Sequence, residues 1–166
     1  YLPTEAQLLQ LRKFQASLDQ NTPQLHKTTR YVPVKPHIIG SSTGVGYYTI
    51  SSLLNAICEL NTRFEPVGFH FYLADVPGYI NDDNLNKGDM DQIWTTAGDY
   101  KMSGAVNIFF HNSSIEGWCG VYFGGLDVVF VQNSCQHSGS TTLTHELGHL
   151  FSLPHTFYGW EGGNNP

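Results

Sequence analysis

"HELGHLFSLPHTF", residues 145–157, gathers His145, His149 and His155 around Glu146 near the end of a 166-residue chain. Residues four apart on a helix lie about 40° apart around its axis, so His145 and His149 project from one face, one turn apart. Two imidazoles so placed can grip one ion at about 2.0–2.1 Å. Glu146 is adjacent in sequence but rotated away, placed to hold a proton beside the ion instead of binding it. Pro154 disfavours the α conformation at Leu153, so the helix should stop there and let the chain swing His155 back as a third ligand. Three neutral nitrogens leave a fourth position open, the mark of a catalytic rather than a structural zinc. A water there would have its pKa lowered towards about 7, and Glu146 would accept its proton and later hand it to a leaving amine. A structural zinc would need a fourth protein ligand, and the sequence offers no candidate close by.

Working outward, "SGSTTLTHELGHLF" reads as a helix with Ser138 or Ser140 as N-cap. Before it come three strands, "AVNIFFH", the short "CGVYF" and "LDVVFV", with "GGLD" as the turn between the last two. Further upstream, "RYVPVKPHII" alternates and carries two prolines, which suits a strand near a sheet edge. "GSSTGVG" is a flexible connector to a helix over "YTISSLLNAICELNTRF", which places Ile50, Leu53, Leu54, Ile57, Cys58 and Leu60 on one face. Cys58 on that face reads as a small core residue. "VGFHFYLADV" returns as a strand, and a polar loop with a variable stretch runs on through Lys101. Strands interleaved with two long helices give an α/β class: a mixed, mostly parallel, twisted sheet of five strands, with a backing helix and a motif-bearing helix.

Residues 1–30 hold Leu8, Leu9, Leu11, Phe14 and Leu18 at near-helical spacing, and read as an amphipathic helix, either a linker or prosegment remnant or a helix packed on the domain. Residues 31–166 form one further unit, without repeats. The chain starts at Tyr1, so any signal peptide is expected to be already removed. A net charge of −6 without a basic stripe argues against nucleic acid and an anionic membrane surface as partners. No apolar run approaches the roughly 18 residues of a membrane span. The oligomeric state stays open.

Other signals fail on spacing. "GSSTGVG" lacks the Lys-Ser/Thr ending of a phosphate loop. In "NDDNLNKGDMD", counted from Asp82, Lys87 stands where a calcium loop needs Gly and Ile93 where it needs Glu, so a solvated loop is expected. Cys119 and Cys135 bracket the last two strands, and their pairing is open, because sequence does not show the Cα approach. His26, His37, His70, His111 and His137 have no partner spacing; His70 and His111 fall on strands as structural or surface residues.

The motif resembles the metzincin signature H-E-x-x-H-x-x-G-x-x-H, and specifically the pappalysin (cytophagalysin) metallopeptidases, whose zinc motif runs on into "HTF". "TTLTHE", "LDVVFV" and "YINDDN" are similar to that family too, and the order of elements matches over residues 31 to about 157. The resemblance implies a secreted or periplasmic zinc endopeptidase acting on protein or peptide substrates. It implies His145, His149 and His155 as Zn2+ ligands and Glu146 as general base and acid. It also implies that Gly120, Val121 and Tyr122 edge the cleft, where an extended substrate pairs backbone to backbone.

Two departures qualify this. Ser152 stands at the family's glycine, where the chain turns in a left-handed conformation, at a cost of about 1 kcal/mol for serine. A weakened rather than abolished site is expected. The family's Met-turn is missing as well, since Met90 and Met102 both lie upstream. Residues 31–166 therefore read as the upper part of a catalytic domain, truncated before the Met-turn and without its lower subdomain. The alternative is a zinc-holding, catalytically inactive module that binds peptides.

Overall fold

A computed structural model describes residues 28–113, 115 and 117–155, together with Leu9 and Lys13. Leu9 and Lys13 are helical and exposed; the rest of the helix predicted within residues 1–27, His26, and everything after His155 lie outside the described residues. Among the described residues, no helix is long and apolar enough to cross a membrane.

The strand carrying two prolines runs Arg30–Gly40 (β1) and sits inside the sheet instead of near its edge. Phe69–Leu73 (β2) and Gly78–Asn81 (β3) pair with its one side and Val106–His111 (β4) with the other, all parallel. Register explains how both prolines fit. The amide of Arg30 donates to Gly68, while the carbonyls of Val34 and Gly40 accept from Ala74 and Asp82, so even-numbered residues of β1 address β2 and β3. Pro36 falls between the last β2 pair, Val34 with Leu73, and the first β3 pair, His37 with Gly78. Pro33 faces the other way, one residue before β4 begins pairing at Val34. Neither missing N–H is needed by a neighbour.

Val128–Gln132 (β6) pairs parallel with β4, and Gly120–Phe123 (β5) closes the order antiparallel to β6. The sheet therefore has six strands, not five, in the order β2-β1-β4-β6-β5, with β3 beside β1. The turn between β5 and β6 is where "GGLD" placed it, with Asp127 at φ 56°. The connector at 40–46 is a hydrogen-bonded turn rather than a loose link: Ser41 donates to Val45, Gly44 donates to Ser41, and Asp83 accepts from Ser42.

Both faces of the sheet are covered, so β4 and β6 read as near-continuous apolar runs. On one face lie Ile50–Phe64 (α1) and, later in the chain, the motif helix Thr142–Leu150, over Val34, Ile38, Ile108, Phe110, Val129 and Val131. The inward stripe of α1 is Leu53, Ala56, Ile57, Leu60 and Phe64. Ile50, Leu54 and Cys58 do not join it; they lie one step around the helix and stay exposed, so Cys58 is a surface thiol and not a core residue.

The opposite face buries Ile39, Phe109, Phe123, Val128 and Phe130. Its cover comes from the stretch expected to be a solvated loop. Asp83–Lys87 (α2) and Met90–Thr96 (α3) fold there, supplying Leu85 and Ile93 to the core. Asp82 Oδ1 accepts from Asn84 and Leu85 at 2.9 Å, and Asp89 Oδ1 from Gln92 at 2.9 Å. Acidic side chains that would suit a calcium loop are thus used as N-caps. We label the motif helix, Thr142–Leu150, α4.

Candidate metal centre

The entry to α4 differs in detail from the sequence reading. Thr141 holds the cap position without a side-chain cap bond. Ser140 Oγ instead accepts from the Thr142 amide at 3.2 Å, and the buried Gln136 accepts from Leu143 at 3.2 Å, satisfying two first-turn donors. Ser138 turns away to Glu59. Cys119 and Cys135 form a disulfide with a Cα separation of 5.5 Å, tying the start of β5 to the turn that leads into this helix.

The exit from α4 decides where His155 goes. The helix ends at Leu150, earlier than Pro154 alone would dictate. Ser152 takes φ 67°, its amide donates to His149 at 2.9 Å and the Leu153 amide donates to Gly148 at 2.9 Å. That is a Schellman turn with serine in the position glycine usually fills. Leu153 packs over Gly148, and Phe151 anchors the turn by stacking on Phe69 at 5.0 Å.

This turn brings the three predicted imidazoles together. His145 Nε2 lies 3.0 Å from His149 Nε2 and 3.1 Å from His155 Nε2, and the remaining pair is 3.0 Å apart. Tetrahedral bonds of about 2.0–2.1 Å put ligand atoms roughly 3.3 Å apart, so this donor set fits one ion. A second contact fixes the chemistry of one donor. His149 Nδ1 is 2.8 Å from the Leu153 carbonyl, which only accepts, so Nδ1 carries a proton and Nε2 is the nitrogen that faces the cluster. Burial holds the His145 pKa below the usual imidazole value, and the neighbouring His149 and His155 add to this.

Glu146 lies outside this triangle, 6% exposed, on the side of α4 that faces β5. Burial pushes its pKa up to about 7, against the opposing pull of the Tyr122 backbone amide. Gly120 permits the close approach. A Cβ there would lie 2.8 Å from Thr142 Cγ2 and 2.9 Å from Glu146 Cγ. A strand glycine often marks such a contact, but the sequence reading used Gly120 only as part of an edge.

β5 is the last strand in the order, so Gly120, Val121 and Tyr122 lie on a strand that, among the described strands, pairs on one side only. They are not equivalent. The Cys119 carbonyl accepts from Gln132 of β6, which turns the backbone groups of alternate residues, Cys119 and Val121, inward. Gly120 and Tyr122 address the open side. The remaining described histidines stay apart: His70 and His137 are exposed, and His37 and His111 are buried on the opposite face. The Gln136 cap and the His149–Leu153 contact had no sequence signal, because both depend on irregular chain.

No family model matches the chain. An extracellular metalloprotease of Colletotrichum graminicola is 30% identical over 151 residues, covering 77% of this chain and 52% of that protein. Extracellular metalloproteases of Podospora anserina and Sordaria macrospora are 28% and 26% identical, each over 77% of this chain and 50% and 51% of their own length. The chain is a distant homologue of proteins so named. It spans about half the length of these relatives.

Proposed function

We propose that this chain is the upper part of the catalytic domain of a secreted zinc-dependent endopeptidase, metzincin-like and akin to the pappalysins. His145, His149 and His155 would hold the metal, with Glu146 as general base and acid. The observation that carries this reading is the convergence of three Nε2 atoms within 3.1 Å, with His149 oriented by its Nδ1 contact to the Leu153 carbonyl. The distant extracellular metalloproteases and the Cys119–Cys135 disulfide, a feature of oxidising compartments, support it.

Zinc would supply a Lewis acid and make a bound water acidic near neutral pH. Everything else falls to the chain. Glu146, held against β5 beside the triangle, would accept a proton from the attacking water and return it to the leaving nitrogen. Gly120 and the Tyr122 carbonyl offer outward backbone groups to an extended peptide and align it beside Glu146. The Tyr122 amide, bonded to Glu146, holds that carboxyl against the edge.

A second reading, a metal-holding module that binds peptides without cleaving them, is favoured by Ser152, which holds the turn before His155 at φ 67° in a position glycine usually fills. Elemental analysis and peptide hydrolysis distinguish the two. The proposal expects about one zinc per chain, lost in His155→Ala, and cleavage reduced roughly 10²–10⁴-fold by Glu146→Ala with zinc retained. Zinc with peptide binding but no hydrolysis would establish the module. A metal-free chain, or a Glu146→Ala variant that cuts at the parent rate, refutes the assignment.

A further inference from the structure

One sequence motif plays no part in the proposed chemistry. Asn112-Ser113-Ser114 is the chain's single N-x-S/T triplet, the pattern an oligosaccharyl transferase reads. The triplet alone carries little; the fold adds the rest. Asn112 follows β4 directly, at an exposed bend. Its backbone amide donates to Asn86 Oδ1 at 3.1 Å, its carbonyl accepts from Gln132 Nε2 at 3.3 Å, and its Oδ1 accepts from Asn133 Nδ2 at 3.2 Å. Its Nδ2, the atom to which a sugar would be joined, makes no hydrogen bond among the described residues. That nitrogen lies over Gly46, where any Cβ would collide with it. The neighbouring Asn133, in the triplet Asn133-Ser134-Cys135, is the reverse case. Its Nδ2 donates to the Gly46 carbonyl and to Asn112 Oδ1, so both of its hydrogens are used.

We propose that Asn112 is an N-glycan acceptor, modified as the chain passes through a eukaryotic secretory pathway. Transfer joins Nδ2 to C1 of a dolichol-linked oligosaccharide. The bond from C1 to the pyrophosphate oxygen breaks, and the proton lost from Nδ2 leaves with that anion. Transfer precedes folding, so the fold decides only whether the sugar is tolerated, and an exposed Asn112 with an uncommitted Nδ2 tolerates it. The inference needs export but not peptidase activity. Export is supported by the Cys119–Cys135 disulfide and by the distant relatives, which are extracellular proteins of fungi. The geometry also says what the glycan leaves alone. Leu150, the last residue of α4, shares a groove with Val32, Val106 and Asp127, near the starts of β1, β4 and β6. Asn112 lies past the other end of β4, a strand about 20 Å long. A sugar there stands beside the 40–46 turn, at the end of the sheet remote from the turn that carries His155.

The test is the intact mass of the full chain, secreted from a eukaryotic host behind a leader peptide, before and after treatment with peptide-N-glycosidase. Most wild-type molecules should lose mass on treatment, with Asn112 converted to aspartate in the peptide map. Ser114→Ala should abolish the glycan while leaving Asn112 and its hydrogen bonds in place, and Ser113→Ala should retain it. Secreted wild type at its unmodified mass overturns the proposal without relying on any variant. A glycan that persists in Ser114→Ala, or that maps to Asn133, overturns it too. None of these readouts uses metal or cleavage, so the peptidase reading and this one fail separately.

Discussion

Two groups of histidines occupy opposite faces of one sheet, one exposed to half-buried and the other buried, and they behave differently. On the α4 face, His145, His149 and His155 point their Nε2 atoms at a common centre. On the α2–α3 face, His37 stacks on Phe109 at 4.3 Å and bonds Asn107 at 3.0 Å, while His111 is 1% exposed, edge-on to Phe130, with no partner for its Nδ1. The second group is the more deeply buried, yet nothing converges on it. Burial alone makes a neutral structural imidazole; convergence, with one ring oriented from outside, makes a candidate ligand set.

The largest expected effects separate the faces through two consecutive residues. Phe110 lies in the cluster that includes Leu143 and Leu147 of α4, whereas Phe109 lies in the one that includes Leu85 and Ile93. Truncation of either to alanine should cost about 3–5 kcal/mol in urea unfolding. Only Phe110→Ala should also weaken metal binding, roughly tenfold, because it loosens the support beneath the candidate ligands. Equal metal affinity in both variants would show that the two faces do not divide support of the site in this way.

The next effect belongs to the buried imidazole. Burial pushes the His111 pKa down to about 4, whereas the unfolded chain titrates near 6.5. The unfolded state therefore binds the proton more tightly. The contribution of neutral His111 is fully present above 6.5, declines as pH falls, and is lost near 4, a change of roughly 3 kcal/mol. His37, also shifted down by burial, acts in the same direction. Unfolding free energies across this window in His111→Phe should show a shallower slope than wild type; an unchanged slope would exclude His111 as its source.

The same contrast governs what could be read from sequence. α4 and the convergence of His145, His149 and His155 were legible because helical spacing and a proline stop state their geometry locally. The core face of α1 was legible in part: Ile50, Leu54 and Cys58 fall within one wide apolar arc with Leu53 and Ile57, and only the sheet position shows which edge is left outside. The helices of the other face have no such period. They are nucleated by Asp82 and Asp89 and held by single residues such as Leu85 and Ile93. The interior place of β1 was hidden as well, because two prolines suggest an edge unless the registers of β2, β3 and β4 are known together.

Strain supplies the smallest and most local test. Among the described residues, two non-glycine residues adopt left-handed backbone conformations, Ser152 at φ 67° and Asp127 at φ 56°. Asp127 is partly compensated: aspartate tolerates this region, and its carboxylate accepts from the Tyr122 hydroxyl at 3.1 Å. Among the side-chain hydrogen bonds of the site, none involves Ser152; its place in the turn rests on its amide and on the amide of Leu153. Ser152→Gly should therefore stabilise the chain by about 0.5–1 kcal/mol, the left-handed penalty less the greater freedom of glycine when unfolded. Asp127→Gly relieves similar strain but forfeits the Tyr122 bond, and should gain nothing. The turn at Ser152 also delivers the Leu153 carbonyl to His149, so Ser152→Gly should bind metal at least as tightly as wild type. Matched urea midpoints for the two glycine variants would mean that the serine strain is absorbed elsewhere, and that the turn carrying His155 is not the strained element.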